Sequence, residues 1–383
     1  MRFLWNALHE STSFMVTNPF GLLKPVPAPA DLDPERPLLN IKADNALHHA
    51  RRAFMASAAA SGVGLAAPSL LTRPALAQAP ARKLIDVHHH IVPPVQAEAL
   101  RKNGQDATRW TVQMSLEDMD KSGVATSITS IQNPGVWFGE VNEESRKLAR
   151  AFNDAANAAH LQYKDRFVGL AALPMMDKDA ALDELNRAAK LPGIRGVYLG
   201  CNIEGRDFSD PEFLPVFQRI EALGLPVFLH PNGAVGGKRF EPFYLANILG
   251  NPFDTTIAAC HLIYGGVLDK CPKLEVNLPH AGGAVPMLIG RMDHGYAVRR
   301  DVPALPRPPS EYMRRFTYDM IGHHASVVKF LISEVGADRV MLGSDYCLDM
   351  GYLKPVQDLD MLELNARDRD QILRGTAARL LKL

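Results

Sequence analysis

Eight short apolar segments, each followed by a stretch of helical character, are the feature that most constrains the fold of this chain. They occupy residues 84–90, 126–131, 167–171, 193–199, 226–230, 274–280, 316–320 and 340–342. Strands that alternate with helices form parallel sheets, because each crossover helix returns the chain to the same edge. Eight such units over residues 84–383 predict an α/β fold of the closed (β/α)₈ type, a TIM barrel.

An open, doubly wound parallel sheet is the alternative architecture for such an alternation. In dinucleotide-binding proteins of that class, a Gly-x-Gly-x-x-Gly loop follows the first strand. Here the first strand is followed by Ile91-Val92-Pro93-Pro94. Dinucleotide binding therefore lacks support, and the barrel is the preferred prediction.

The composition is that of a soluble globular protein, with 47% hydrophobic and 22% charged residues. The 42 Lys and Arg residues balance 42 Asp and Glu residues, so the global charge does not indicate a nucleic acid or an anionic membrane as a partner. The four cysteines include no Cys-x-x-Cys pair and are interpreted as thiols.

Residues 1–77 have the composition of an export signal and are treated apart from the fold. The pair Arg51-Arg52 precedes a stretch rich in Ala, Gly and Ser, and Ala75-Leu76-Ala77 supplies a small-x-small cleavage site. These are the parts of a twin-arginine-type signal, here with a long leader before the arginines. A membrane anchor needs about 20 strongly apolar residues, so no stable anchor is predicted. The chain is expected to be periplasmic or secreted, with one domain over residues 84–383.

Histidines and one aspartate stand at the carboxyl ends of four predicted strands. They are His88 and His90 on strand one, His230 on strand five, His280 on strand six and Asp345 after strand eight. In a barrel these strand ends meet at one face, where active sites lie. Three imidazoles and one carboxylate suit a single divalent cation, with Zn²⁺ preferred and Mn²⁺, Fe²⁺ or Co²⁺ as alternatives.

Five candidates for four coordination positions leave one side chain for proton transfer. His280 is predicted to be this acid/base residue, because Gly282 and Gly283 follow it and leave an open loop that enters a helix. An imidazole that does not bind the metal can move protons near neutral pH. The predicted metal ligands are then His88, His90, His230 and Asp345.

Taken together, these motifs resemble the amidohydrolase superfamily, in its aminocarboxymuconate-semialdehyde decarboxylase-like branch. The resemblance covers about residues 84–383. Its motifs are Ile85-Asp86-Val87-His88-His89-His90, Leu225-Pro226-Val227-Phe228-Leu229-His230-Pro231, Leu278-Pro279-His280-Ala281-Gly282-Gly283 and Leu342-Gly343-Ser344-Asp345-Tyr346. Carried over by position, this resemblance implies the same four metal ligands and a catalytic His280.

The resemblance implies a carboxy-lyase that removes CO₂ without oxidation from an unsaturated or aromatic carboxylic acid. It also implies that Arg291 binds the substrate carboxylate of a partner subunit, and hence a homodimer. Strand four has no Lys to bridge a second metal, which favours one metal ion. Hydrolysis of a lactone or an amide on the same barrel is the alternative function, and only the style of the motifs separates the two.

Departures from the branch, among them the two that follow, leave the identity of the substrate open. Asn232 follows His230-Pro231 at a position where the branch has Trp, and the region after strand one differs in length. The metal site is therefore predicted more firmly than the substrate.

Overall fold

The structure, a computed structural model, describes residues 84–139, 143–233 and 235–383. The signal region predicted for residues 1–77 lies outside these residues. Within the part of the chain that is described, no helix combines the length and the apolar character that a membrane crossing requires.

Eight parallel strands form a single sheet. They are β1 (Leu84–Ile91), β2 (Val124–Ile131), β3 (Phe167–Ala172), β4 (Ile194–Gly200), β5 (Val227–His230), β6 (Val276–Leu278), β7 (Phe316–Asp319) and β8 (Val340–Met341). Each strand pairs with the next in sequence, from β1 to β8. The chain just past β8 returns to β1, since the Val87 N–H donates to the Leu342 carbonyl over 2.9 Å and the Asp345 N–H to the His88 carbonyl over 2.9 Å.

This nearly closed barrel agrees with the predicted (β/α)₈ architecture, and the open doubly wound sheet is not what the chain forms. Every predicted strand overlaps an observed one. The sixth strand is shorter than predicted, because it ends at Leu278 and His280 has a left-handed backbone with φ of 53°. A residue in that conformation cannot continue an extended strand.

Helices connect the strands on the outside of the barrel. The described α-helices are α1 (Pro94–Lys102), α2 (Val112–Ser122), α3 (Glu143–Gln162), α4 (Lys178–Ala188), α5 (Leu214–Leu223), α6 (Asn251–Tyr264), α7 (Val267–Lys270), α8 (Val285–Val298), α9 (Ala325–Val335), α10 (Pro355–Asp360), α11 (Ala366–Asp370) and α12 (Thr376–Leu381). Short 3₁₀ or π segments lie at Pro211–Phe213, Gly237–Phe240, Pro242–Tyr244, Ala246–Gly250, His280–Gly282, Pro309–Arg315, Ala337–Arg339 and Gln371–Gly375.

Local chemistry sets several of these helix boundaries. Helix α2 begins after Thr111, whose hydroxyl accepts from the Met114 N–H over 3.2 Å, and it ends at Gly123 with φ of 71°. Helix α4 begins after Asp177, whose carboxylate accepts from the Ala180 N–H over 3.1 Å. A side-chain acceptor satisfies a free N–H of the first turn, and a glycine adopts the left-handed conformation that ends a helix.

A buried asparagine connects helix α3 to the carboxyl end of β3. Asn153 is fully buried, and its amide donates to the Ala172 carbonyl over 3.0 Å and to Glu184 over 2.7 Å. Its side-chain oxygen accepts from the Ala172 N–H over 2.8 Å. One side chain thus forms hydrogen bonds with both backbone groups of Ala172.

We expect Asn153→Ala to lower the free energy of unfolding by about 2–4 kcal/mol, because it removes the hydrogen bonds of Asn153 to the buried backbone N–H and carbonyl of Ala172. Urea unfolding followed by circular dichroism measures this change. Asn186→Ala removes only an exposed bond to Arg219 and should change the free energy by about 0.5 kcal/mol or less. Equal effects of the two variants would contradict the role assigned to Asn153.

Candidate metal centre

The carboxyl face of the barrel brings together all five residues that the sequence singled out. His88, His230, His280 and Asp345 each offer a ligand atom, and these atoms all lie within 4.8 Å of one another. His90 joins them, because its Nε2 lies 3.2 Å from His88 Nε2 and 3.2 Å from Asp345 Oδ1. The convergence is observed, whereas the division into four ligands and one acid/base residue stays a prediction.

Hydrogen bonds on the outer side of three imidazoles determine which nitrogen faces inward. The contacts are His88 Nδ1 to Asp319 Oδ2 (2.8 Å), His90 Nδ1 to the Ile131 carbonyl (3.2 Å) and His230 Nδ1 to the Pro231 carbonyl (3.0 Å). Carboxylates and carbonyls only accept hydrogen bonds, so each Nδ1 bears the proton and donates it. While a ring is neutral, its Nε2 is left with a lone pair directed into the cluster.

The inner atoms of the cluster are acceptors that face one another. His88 Nε2 lies 3.2 Å from His90 Nε2 and 3.3 Å from Asp345 Oδ1, and this carboxylate oxygen is buried without a hydrogen-bond donor among the described residues. Buried acceptors without a donor are unfavourable. Ligand atoms that share a tetrahedral Zn²⁺ at 2.0–2.2 Å lie roughly 3.3 Å apart. The residues therefore fit one divalent cation.

The pKa values of the cluster follow from its burial and from its carboxylates. Burial lowers the pKa of His90 and, more strongly, that of His230, where the neighbouring imidazoles add to the effect. Burial also opposes protonation of His88, but Asp345 and Asp319 outweigh it and raise its pKa to about 9. Although burial alone would raise the pKa of Asp345, the surrounding imidazoles hold it well below its usual range. The two carboxylates thus favour positive charge at this point, which a metal ion can supply.

Asp319, at the end of β7, is a functional residue that the sequence prediction missed. Its Oδ2 accepts from His88 Nδ1, and its Oδ1 accepts from the Ala281 N–H over 3.2 Å and the Ile321 N–H over 3.0 Å. A carboxylate behind a metal-binding imidazole fixes its tautomer and raises its basicity. A signal was available in the sequence, because Asp319 is an ionisable residue near the carboxyl end of the predicted strand 316–320.

The remaining polar residues of β1 support the site from behind. The fully buried His89 lies against Asp86 Oδ2 (3.2 Å) and Ser115 Oγ (2.9 Å), and its ring stacks on Tyr346 at 4.4 Å. Asp86 accepts from the Ser344 hydroxyl over 2.6 Å. This carboxylate therefore attaches β1 to the segment that contains Asp345, and His89 packs outside the cluster.

The turn that contains His280 has an unusual backbone. His280 and Ala281 both have positive φ, 53° and 55°, and Asp345 has a φ of 57°. This conformation costs a residue with a side chain roughly 1–2 kcal/mol. Gly283 continues the turn with a φ of 61°, where a Cβ would lie only 2.2 Å from the Pro252 carbonyl oxygen. The turn directs the His280 side chain toward Asp345, with Nε2 3.7 Å from Oδ2.

A cleft of about 320 Å³ opens over the cluster, and His230, His280 and Asp345 form part of its lining. Most of its walls are apolar, and include Ile248, Pro252, Met287, Val327, Phe330 and Leu348. Beyond the cluster, polar groups come from Asn247, Asn251, His323 and Asp349. No arginine or lysine is among the described residues that line this cleft. The arrangement can hold an apolar ring with a polar group directed at the metal cluster.

Arg291 lies apart from the cluster within one chain. It is exposed on helix α8, and none of the described residues forms an ion pair or hydrogen bond with it. It is also absent from the lining of the cleft. Its predicted contact with the substrate of a partner subunit therefore stays a prediction.

Comparison with known proteins agrees with this geometry. The sequence model of the amidohydrolase family matches residues 85–383. The chain belongs to the amidohydrolase family. It is 31% identical over 281 residues to the 2-amino-3-carboxymuconate-6-semialdehyde decarboxylase of Dictyostelium discoideum, which covers 73% of this chain and 78% of that protein.

Two further decarboxylases resemble this amidohydrolase. It is 28% identical over 285 residues to the gamma-resorcylate decarboxylase of Rhodococcus jostii, which covers 70% of this chain and 86% of that protein. A crystal structure of 2,6-dihydroxybenzoate decarboxylase in complex with 2,6-dihydroxybenzoate superposes with a TM-score of 0.67 at 25% identity. That match covers 79% of this chain and 100% of the other.

We expect Asp319→Asn to weaken metal binding by about 10- to 100-fold, because the amide no longer holds the proton of His88 on Nδ1. Competition between the protein and a chromophoric chelator for Zn²⁺ measures the affinity. Asp338→Asn, which alters an exposed pair with Arg314, is the control and should leave the affinity unchanged. An Asp319→Asn protein that binds Zn²⁺ as tightly as the original chain would remove Asp319 from the site.

Proposed function

We propose that this amidohydrolase is a metal-dependent, non-oxidative decarboxylase of an aromatic carboxylic acid. The observation that supports this most directly is the position of His280, held on a strained turn beside the acceptor cluster and lining the apolar cleft. The decarboxylases to which the chain is similar point to the same reaction.

His88, His90, His230 and Asp345 are the metal ligands in this proposal, with Zn²⁺ as the preferred ion. Three of them are imidazoles whose Nδ1 donates to a fixed acceptor, so their Nε2 lone pairs are available. His280 differs from these three, because its Nδ1 is buried without a hydrogen-bond partner among the described residues. No neighbour fixes its tautomer, so this ring is suited to exchange a proton.

The reaction follows from these roles. When bound, the cation supplies positive charge that neutralises the substrate carboxylate or an adjacent oxygen. His280 delivers a proton to the ring carbon that bears the carboxylate. The bond from that carbon to the carboxylate carbon then breaks, its electron pair returns to the ring, and CO₂ leaves. One proton and one carboxylate yield one arene and one CO₂, and His280 regains its proton from solvent at the open cleft.

The cleft favours an aromatic acid over a strongly charged substrate. Its walls are mainly apolar, and no arginine or lysine of the described chain lines it. An aromatic ring buries apolar surface there, whereas a second carboxylate would lose its hydration without a cationic partner from the same chain. Dihydroxybenzoate, the ligand in the structure of one similar decarboxylase, has this chemistry.

A homodimer and an exported location belong to the same proposal. Arg291 is exposed and unpaired among the described residues, which suits a side chain that completes the site of a partner subunit. The twin-arginine pair Arg51-Arg52 supports export of the folded protein. Sedimentation of the purified protein and the N-terminal mass of the exported chain test these two points.

The function is tested by measuring CO₂ release from a panel of hydroxybenzoic acids and unsaturated dicarboxylic acids, with metal content determined on the same sample. We expect release from hydroxybenzoates, loss of activity after treatment with a chelator and recovery on addition of Zn²⁺. A metal-loaded protein that releases no CO₂ but opens lactones or amides would overturn the proposal in favour of hydrolysis.

The variant His280→Ala tests whether His280 is the acid/base residue or a metal ligand. Loss of a positioned proton donor should lower the decarboxylation rate by about 10²- to 10⁴-fold, while the metal content stays near that of the original chain. His230→Ala is the matched variant, and it should lose metal together with activity. If His280→Ala also loses its metal, His280 is a ligand and the assignment of the two roles is wrong.

A further inference from the structure

One peptide unit beside the cluster is held at both of its ends by side chains from distant parts of the chain. The Pro231 carbonyl accepts from the Asn133 amide over 2.6 Å, and the Asn232 N–H of the same peptide donates to Asp254 Oδ2 over 2.8 Å. Asn133 lies in the loop after β2 and Asp254 in helix α6. The orientation of this peptide plane is therefore set by contacts from outside β5.

Both side chains that hold the peptide are themselves held in place. Asp254 is 3% exposed and accepts from the Asn202 amide over 3.0 and 3.3 Å. The Tyr198 hydroxyl donates to Asn133 Oδ1 over 2.9 Å. Because a tyrosine hydroxyl donates here and a carbonyl can only accept, the Asn133 amide has one chemically consistent orientation.

The held carbonyl is the one that determines the tautomer of His230. His230 Nδ1 donates to the Pro231 oxygen over 3.0 Å, and this oxygen has a second lone pair for Asn133. The Tyr198 ring also stacks on the His230 ring, with 5.9 Å between centroids and 28° between planes. If the carbonyl turned away, His230 Nδ1 would lose its acceptor and Nε2 would no longer be fixed as the nitrogen with the lone pair.

We propose that Asn133 and Asp254 are positioning residues for the metal, acting through the Pro231–Asn232 peptide on His230. The positioning role of Asn133 and Asp254 rests on the metal site of the proposed function, but it does not depend on which reaction the protein catalyses. His88 has a carboxylate, Asp319, to fix its outer nitrogen. His230 has only a neutral carbonyl for this purpose, so the peptide clamp supplies the rigidity that the carboxylate supplies to His88.

The surroundings of Asn133 distinguish this role from packing. Asn133, Tyr198 and Asn232 line a small cavity of about 50 Å³ above β2–β4, which is separate from the cleft over the cluster. Asn133 is only partly buried. Shortening its side chain therefore enlarges an existing space and removes two hydrogen bonds, and does not empty a closed core.

The test is the affinity for Co²⁺, whose visible spectrum also reports the number and geometry of its ligands. Asn133→Ala should bind Co²⁺ about 10- to 100-fold more weakly, with a spectrum that indicates loss or displacement of one imidazole. Tyr198→Phe keeps the ring on His230 and removes one hydroxyl, and should weaken binding less than Asn133→Ala. Asp254→Asn keeps an acceptor for the Asn232 N–H, so it should stay within a few-fold of the original chain, unlike Asp254→Ala.

Asn153→Ala is the matched control, because Asn153 bonds to the backbone at the end of β3, a strand without a proposed ligand. It should lower stability and leave the Co²⁺ affinity and spectrum unchanged. The proposal is overturned if Asn133→Ala folds and binds Co²⁺ with the original affinity and spectrum. It is also overturned if Asn153→Ala weakens the binding of Co²⁺ as much as Asn133→Ala does. The loss of affinity would then reflect a loss of protein stability.

If the proposed decarboxylation is wrong but the peptide clamp is right, the experiments give a different result. A protein that binds Co²⁺ tightly, loses affinity in Asn133→Ala and still releases no CO₂ from any acid would retain the peptide clamp and reject decarboxylation. If Asn133→Ala should fail to fold, Tyr198→Phe and Asp254→Ala each remain to test one end of the clamp.

Discussion

The site depends on hydrogen bonds that point away from it. Each of three imidazoles gives its Nδ1 proton to an outer acceptor, and in this way presents a lone pair to one common point. The acceptors come from β7, from the end of β2 and from the residue after β5. Closure of the barrel brings these strand ends around one axis, so the fold itself sets which nitrogen of each ring faces inward.

Strain and rigidity are concentrated at the same face. His280, His323 and Asp345 all have positive φ, and all three line the cleft. The barrel below them is regular, with each strand paired to its neighbour in sequence. A strained conformation persists only where the surroundings fix it more firmly than the residue's own preference. Here the barrel holds these residues in their strained conformations. The strained turns orient side chains into the cleft that a straight strand would point elsewhere.

The sequence predicted the architecture and the members of the site because both follow short periodic rules. Apolar segments with helices between them indicate a barrel, and an ionisable residue at the end of such a segment indicates its functional face. The supports of those residues follow no such rule. Asn133 and Pro231 are 98 positions apart, and nothing in their spacing foretells a hydrogen bond. Asp319 was open to prediction, but its partner His88 lies 231 positions away. In our proposal Arg291 contributes to the site of a second copy of the chain, and contacts between copies cannot be predicted from the pattern of one sequence.

The scarcity of positive side chains in the cleft makes the affinities for acid and metal interdependent. Since no arginine or lysine of the described chain lines the cleft, the metal is the main positive charge that one chain offers to a carboxylate entering it, beside any arginine of a partner subunit. The metal and the acid then bind with positive cooperativity. By thermodynamic linkage, each increases the affinity of the protein for the other by the same factor. Cellular supply of the metal would thus govern how much acid the protein can hold as well as how fast it reacts.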